Sequence, residues 1–434
     1  MKFINRLILF LVGASLITAC SFDAQVDPNR PSVGGVSSNA TPAQLDALVT
    51  GALGDLRSGL QVYRTSVGSI ARELYLFDAD PRNTEDLLGK NGTQLDNNTF
   101  YLTGWYTPYY RVVKNCNILI DAINNTTLVT DAAKKGYSGF AKTMKAHVFI
   151  QILNMLDDNG IRIDVSNPDQ LGAFVDKATA LTNIRTLLDE GSTDLDAAGT
   201  AFSFTLNSGW TGFDTPATFK QFNRGLAAKV ALYQQSWADV LTLLGQSFLS
   251  ETGSLNAGPQ HVFSTAAGDV LNPLFFGSAP DNIYAHPSFN TDAEAGDTRV
   301  SSKTTAQSNT RDGLTATHRQ NIFTTGTDPV SIIRNEELVL MKAEANIQQG
   351  NSAEAVRLLD IVRTAAGLAG YTGATDQTSL INQLLTERRF SLWLEGVRMV
   401  DMRRYGRLDA TNLPIDRTGD IIHTKFPIPL NDNQ

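Results

Sequence analysis

The sequence predicts a mostly α-helical fold of tetratricopeptide-like helical hairpins with a loop-rich region between them. Apolar residues recur every three or four positions through most of residues 43–250 and again through 329–434, and short turn signals separate these stretches. Over residues 251–328 the helical period is lost and Gly, Asn, Thr, Ser, Pro and Asp dominate. We therefore expect one domain over residues 43–434, made of these three parts, although no exact repeat period is present.

Six helices are expected in the first part. The first begins at Thr41 and Pro42, because Thr can cap a helix and Pro fits its first turn. The other five are expected at residues 106–123, 137–156, 178–188, 219–235 and 237–249.

The C-terminal part is expected to contain a helical hairpin that turns at Gln349-Gly350-Asn351. Asn351 and Glu354 have the spacing of an N-cap residue and its capping-box partner, so we expect them to start the second helix of the hairpin.

Residues 251–328 are expected to form loops with a few short strands. Aromatic residues such as Phe263, Phe275 and Phe289 are spread through the segment and indicate that it packs against the rest of the protein. A disordered linker is the alternative interpretation of the same composition.

The N-terminus has the layout of a signal peptide. Lys2 and Arg6 precede an apolar run over residues 7–16, which is about half of the ~20 residues that a membrane span needs. Residues 16–20, Leu-Ile-Thr-Ala-Cys, resemble the lipobox of bacterial lipoproteins. We expect residues 1–19 to be removed and Cys20 to carry the lipid anchor, followed by a flexible tether over 20–42. An ordinary secretory signal with an incidental cysteine is the alternative.

Composition argues against several classes of function. The formal net charge of −8 and the lack of a basic tract give no support to nucleic-acid binding. None of the five histidines lies within helical-turn spacing of another, and phosphate-loop, nucleophile-elbow and paired Cys/His motifs are missing from the sequence. No cofactor, metal or catalytic residue is therefore predicted. Cys116 is expected to be a buried apolar thiol.

Several blocks follow one another in the mature chain. The most specific is residues 387–406, ERRFSLWLEGVRMVDMRRYG, and residues 334–345 read RNEELVLMKAEA. Shorter blocks lie at residues 105–117, 140–160, 219–233, 359–363 and 427–429. Together with Cys20 these blocks resemble the SusD/RagB family of nutrient-uptake outer-membrane lipoproteins. Ser391 stands where the family prefers Glu, and residues 431–434 lack the usual ending.

The resemblance implies a non-catalytic lipoprotein of the cell outer membrane that faces outward. Members of the family act as lids over a SusC-like TonB-dependent transporter and capture glycans or peptides for import. The helical hairpins would then form the scaffold and the transporter contact, and the irregular loops would form the ligand surface.

The charged residues of the 387–406 block have two interpretations. Alternating carboxylates and arginines look like a catalytic cluster, but such groups tend to pair and stay ionised, which suits structure better than general acid catalysis. With residues 395–401 expected on one helix, neighbours three apart would pair on its surface. We expect structural ion pairing for Glu387, Arg389, Glu395, Arg398 and Asp401.

Glycan capture needs aromatic faces for sugar rings and polar side chains for hydroxyl groups. Trp210 is the foremost candidate, because its Asn, Ser, Gly and Thr neighbours predict an exposed loop. The other candidates are Trp105, Tyr101, Phe77, Asp80 and Tyr284. For each aromatic residue, burial in the core is the alternative. For the whole chain, the alternatives are a surface glycoside hydrolase or peptidase and a helical scaffold that binds only proteins.

Overall fold

The chain folds mainly into α-helices, as the sequence predicts. The computed structural model describes residue 36 and residues 38–167, 169–277 and 280–432. The predicted signal peptide, Cys20 and most of the predicted tether lie outside the described residues. None of the helices in the described ranges combines the length and apolar character that a membrane span requires.

Within the described residues up to 250, seven α-helices form the first part of the scaffold. They are α1 (Pro42–Ser58), α2 (Leu60–Ile70), α3 (Phe100–Asn125), α4 (Asp131–Leu156), α5 (Lys177–Asp196), α6 (Pro216–Tyr233) and α7 (Trp237–Leu244). From α3 onward each helix packs against the next one along the chain, and α1 packs on α3, which is the arrangement expected of helical hairpins.

Local sequence explains where these helices begin. The side chain of Thr41 accepts from the main-chain N–H of Gln44, whose own side chain accepts from Thr41, so the predicted start at Thr41 and Pro42 is confirmed. Helix α3 starts six residues earlier than predicted and continues through Pro108. Burial of Tyr101 and Trp105 stabilises the start of this helix. It also offsets the loss of the main-chain hydrogen bond that Pro108, which has no N–H, cannot donate.

A four-stranded antiparallel sheet lies beside the helices. Its strands are β1 (Leu74–Phe77), β5 (Asn282–Ala285), β6 (Thr304–Arg311) and β7 (Leu314–Gln320), in the order β1-β5-β7-β6. Strand β1 comes from the first part of the chain and was not predicted, because its four residues are all buried and show no alternation. The sheet therefore joins residues on both sides of the expected boundary at 250.

Two short strand pairs and two short helices complete the middle of the chain. They are β2 (Ile161–Arg162) with β3 (Phe174–Val175), β4 (Gln260–His261) with β8 (Val330–Ser331), α8 (Pro287–Thr291) and α9 (Thr298–Lys303). The pairing of β4 with β8 brings the two ends of residues 251–328 together. The pairing of β5 with β1 joins this segment to the first part of the chain.

The last part contains α10 (Asn335–Gln348), α11 (Ser352–Ala365), α12 (Gln377–Ser391) and α13 (Arg398–Arg404). The hairpin between α10 and α11 is as expected, but the predicted capping box is wrong. Asn351 makes no side-chain cap bond and instead donates to the side chain of Asn346, while Glu354 pairs with Arg357.

The expectation of one helix through residues 395–401 is also wrong. Leu394 and Gly396 have φ values of 65° and 75°, so the chain turns between α12 and α13. A side chain at position 396 would lie 2.7 Å from the Tyr63 ring, so the close approach and the positive φ both require glycine there. Glu395 therefore lies in the turn and Arg398 begins α13.

Candidate functional site

The foremost sugar-binding candidate is buried. Trp210 ends a short 3₁₀ turn, is 1% exposed and packs its ring 5.3 Å from Phe219 and 5.2 Å from Phe222. The prediction of an exposed loop is wrong, because its polar neighbours build the turn: Asn207 accepts from the N–H of Gly209. Gly209 in turn lies against the carbonyl of Gln260, where a Cβ would not fit.

The other aromatic candidates are core residues as well. Trp105 and Tyr101 face inward from α3, and the indole N–H of Trp105 donates to the Tyr101 carbonyl at 2.9 Å. Phe77 and Tyr284 pack against each other across β1 and β5. These four rings are fully buried, so no sugar can stack on them in this structure.

Asp80 is the one candidate of the six that reaches solvent, and it is paired with Arg82 at 2.6 Å. The six residues therefore do not form a common site.

The charged block forms a buried network. Glu387 is paired with Arg299 at 2.6 Å and with Arg363 at 2.9 Å. Asp401 pairs with Arg388 at 2.7 Å and with Arg404 at 3.1 Å. Burial alone would raise the pKa of Asp401, but Arg388 and Arg404 outweigh it and hold the pKa below the ordinary value. An ionised carboxylate of this kind is unsuited to general acid catalysis.

The remaining members of the block differ in their partners. Glu395 pairs with Arg334 at 2.8 Å, and Arg389 pairs with Asp292 at 2.7 Å. The predicted ion pair is wrong for Arg398, which donates from Nε to the main-chain oxygen of Ala71 at 3.2 Å and, among the described residues, has no carboxylate within ion-pair distance.

A cleft of about 790 Å³ lies where the middle of the chain meets the last helices. Its walls come from α2, α9, the segment around β4, the 321–331 loop, the start of α10, the end of α11 and the turn after α12. The volume falls within the range of ~300–1,000 Å³ that is common for small-ligand pockets. The cleft therefore forms only after segments distant in sequence come together.

The surface of the cleft combines apolar and polar groups. Ile322 is 36% exposed and Phe323 is 6% exposed, and these two residues contribute to its accessible apolar surface, whereas Trp393 and Leu394 are buried in its wall. Asn256 and Asn321 are exposed on its lining and offer planar amides that can donate and accept hydrogen bonds. Such a combination suits a ligand with an apolar face and several hydroxyl groups.

The 321–331 loop that lines the cleft is bonded to a second loop around residue 272. The N–H of Asn272 donates to the carbonyl of Gly326 at 2.7 Å, and its side-chain amide donates to the carbonyl of Asp328 at 2.8 Å. Leu271 is 53% exposed on one loop and Ile322 is 36% exposed on the other. The loops are therefore ordered while their apolar tips stay open to solvent.

The sequence pointed to the loop-rich region but missed the residues that line the cleft. Asn256 and Asn321 were inseparable in sequence from the many other Asn residues of residues 251–328. Within the described ranges, no three His, Cys, Asp or Glu side chains converge in a manner that would hold a metal ion.

The last part of the chain is similar in sequence to a known family, and most of the chain shares its fold with solved structures. Residues 289–432 match the sequence profile of the SusD family. No curated protein matches the chain in sequence.

Solved structures share the fold over most of the chain. A SusD superfamily protein from Parabacteroides distasonis is 15% identical, with 90% of this chain and 97% of that chain covered and a TM-score of 0.69. A laminarin-binding SusD-like protein is 17% identical, with coverage of 92% and 98% and a TM-score of 0.67. Surface glycan-binding protein A from Bacteroides uniformis is 17% identical, with coverage of 88% and 91% and a TM-score of 0.65. The chain is therefore similar to the SusD family over residues 289–432, and it shares its fold with these solved structures over most of its length.

Proposed function

We propose that this protein is a non-catalytic binding protein that captures a nutrient oligosaccharide in the cleft between the middle of the chain and the last helices. The observation that carries the proposal is the lining of the cleft: apolar Ile322 and polar Asn256 and Asn321 are all exposed on it. Two structural relatives bind glycans, laminarin in one case. A peptide ligand is the second possibility within the same family.

Two serines on α9 give a matched pair of variants for the test. Ser302 and Ser301 are both exposed, but only Ser302 lines the cleft. Each hydroxyl donates to a main-chain oxygen three residues earlier, so the two positions have similar local roles. A tryptophan at position 302 fills part of the cleft, whereas a tryptophan at 301 does not.

The experiment is isothermal titration calorimetry of residues 21–434 against a panel of oligosaccharides. We expect Ser302→Trp to weaken binding at least ~10-fold, while Ser301→Trp binds like the wild type. Equal loss in both variants would contradict the site. New reducing ends in the incubated panel would favour a glycoside hydrolase instead, and failure to bind any glycan or peptide would favour a protein-binding scaffold.

We further propose that Cys20 carries acyl chains that hold the protein on the outer face of the outer membrane, next to a SusC-like TonB-dependent transporter. Several acyl chains anchor stably because each buried methylene contributes ~0.8 kcal/mol. In cells, Cys20→Ala should move the protein from the membrane fraction to the soluble fraction. Co-purification of the wild type with a TonB-dependent barrel would support the transporter contact, and its purification alone in mild detergent would oppose it.

A further inference from the structure

Two cations of the cleft lack a carboxylate partner. Arg64 is buried, and its guanidinium donates only to main-chain oxygens, that of Leu394 at 3.2 Å and that of Ser331. Lys303 donates from Nζ to the main-chain oxygens of Phe390 at 2.6 Å and of Ser391. Among the described residues, no carboxylate oxygen lies within 4.0 Å of either charged group.

The other charges of the cleft are compensated. Arg334 lies between Glu336 and Glu395 and pairs with both. Arg299, the fourth cation on the lining, is paired with Asp297 and Glu387 outside it. With Arg299 set aside, three cations face two carboxylates, so the cleft keeps one positive charge in excess.

The excess positive charge is unfavourable because Arg64 and Lys303 are shielded from solvent. Burial, together with the neighbouring Arg334 and Arg299, lowers the pKa of Lys303 to about 8, although Glu336 and Glu395 act in the opposite direction. Burial also lowers the pKa of Arg64. An anion bound beside these groups would supply the missing counter-charge, and the attraction would be stronger than in water because the effective dielectric constant is lower.

A structural role explains part of this arrangement. Lys303 is the last residue of α9, and its side chain reaches the C-terminal end of α12. There its ammonium group donates to two main-chain carbonyl groups and complements the helix dipole. That role uses two of the three ammonium protons and leaves the net charge of the cleft unchanged. Arg64 has no such role at the end of a helix, because its two acceptor carbonyls lie in the turn at Leu394 and in β8.

We propose that the cleft selects an acidic oligosaccharide, whose carboxylate or sulfate group is held by Lys303 and Arg64. The inference rests on the proposed function, since it uses the same cleft as the ligand site. The apolar surface and the amides then contact the sugar ring, and the two cations choose between charged and neutral sugars.

The first test compares matched sugars on the mature chain. Oligogalacturonate is titrated beside its carboxyl-reduced, neutral counterpart, and dextran sulfate beside dextran. We expect the acidic member of at least one pair to bind ~10-fold or more tightly. The difference should shrink in high salt and between pH 7 and pH 9, as Lys303 loses its proton. The preferred pair shows whether carboxylate or sulfate is the group recognised.

The second test changes the charge of the cleft without removing a structural residue. Ser302→Asp places a carboxylate on the cleft lining beside Lys303, and Ser301→Asp places one on the same helix outside it. We expect Ser302→Asp to abolish the preference for acidic sugars and Ser301→Asp to keep it. Lys303→Met, a separate variant that also removes the ammonium from the end of α12, should remove the preference as well, with circular dichroism used to verify its folding.

Three outcomes separate this inference from the proposed function. Equal binding of neutral and acidic sugars, lost in Ser302→Trp, would overturn the acidic preference and leave the glycan site standing. Binding of no sugar of either kind would overturn both. Binding of poly-glutamate but no acidic sugar would show that the two cations recognise an acidic peptide and would overturn the choice of a sugar ligand.

Discussion

The first helices and the charged segment after residue 387 are equally buried but are stabilised in different ways. Around Trp105, Trp210 and Phe219, the core consists of apolar side chains and aromatic rings in contact. Around Glu387 and Asp401, carboxylates and guanidinium groups occupy the interior. Apolar burial tolerates small changes of orientation, whereas a buried ion pair is favourable only with good geometry and complete hydrogen bonding.

This difference bears on how the cleft is built. The apolar helices form a rigid scaffold with few free polar groups. The charged segment turns sharply at Leu394 and Gly396, and there it contributes Trp393, Leu394 and Glu395 to the lining of the cleft. Ion pairs hold the wall of the cleft, while apolar contacts hold the scaffold behind it.

The largest expected effect tests the apolar side of the comparison. Trp210→Ala should lower the free energy of unfolding by about 3–5 kcal/mol, because it leaves a cavity among packed aromatic rings. Urea denaturation followed by circular dichroism measures the effect. Trp237→Ala is the control, since Trp237 is only half-buried and should cost less. A loss below ~1 kcal/mol for Trp210→Ala would contradict its burial.

The charged side should show a similar loss from a much smaller change. Glu387→Gln keeps the shape of the side chain but removes the buried carboxylate that Arg299 and Arg363 share. The cost should be about 3 kcal/mol, the lower end for a broken buried pair, because Arg299 keeps Asp297 and Arg363 keeps Glu294. The matched control is Glu354→Gln, whose pair with Arg357 is near the surface and is worth ~0–1 kcal/mol. Similar denaturation midpoints for both variants would mean that the buried network does not carry stability.

The dependence of stability on pH provides a third test. Burial raises the pKa of Glu73 from 4.5 to about 7, so the folded state holds this proton more tightly than the unfolded state. The contribution of Glu73 to the free energy of unfolding is fully present below pH 4.5. It falls by ~1.4 kcal/mol per pH unit up to pH 7, about 3 kcal/mol in all. Thermal melts of wild type and Glu73→Gln should diverge over this range. Parallel curves would contradict the shift.

The smallest expected effect compares two helix starts in the last part of the chain. Asp376 caps α12, because its carboxylate accepts from the N–H of Ser379 at 3.0 Å, and Asp376→Ala should cost ~1 kcal/mol. Asn351→Ala should cost less than half of that, because Asn351 makes no cap bond to α11. Chemical denaturation resolves the difference, and a larger loss for Asn351→Ala would reverse the assignment.

The sequence predicted the helices well and the exposure of individual residues poorly. Apolar periodicity located most helices from α1 to α11, and Cys116 is buried as predicted. Exposure of Trp210 could not be judged from its neighbours, because the same Asn, Ser, Gly and Thr residues build exposed loops and tight buried turns alike. The break between α12 and α13 escaped prediction because Gly396 matters through its contact with Tyr63, which is distant in sequence.

By itself, the sequence determined the helical scaffold, the loop-rich middle and the resemblance to the SusD/RagB family, because periodicity and the order of short motifs are properties of neighbouring residues. Only the tertiary structure decided which aromatic rings are buried, where the charged block finds its partners and which side chains line the cleft. Arg64 and Lys303 are distant in sequence but line the same cleft, and among the described residues neither has a carboxylate within ion-pair distance. Charge compensation depends on distances across the folded chain, and spacing along the sequence does not contain those distances.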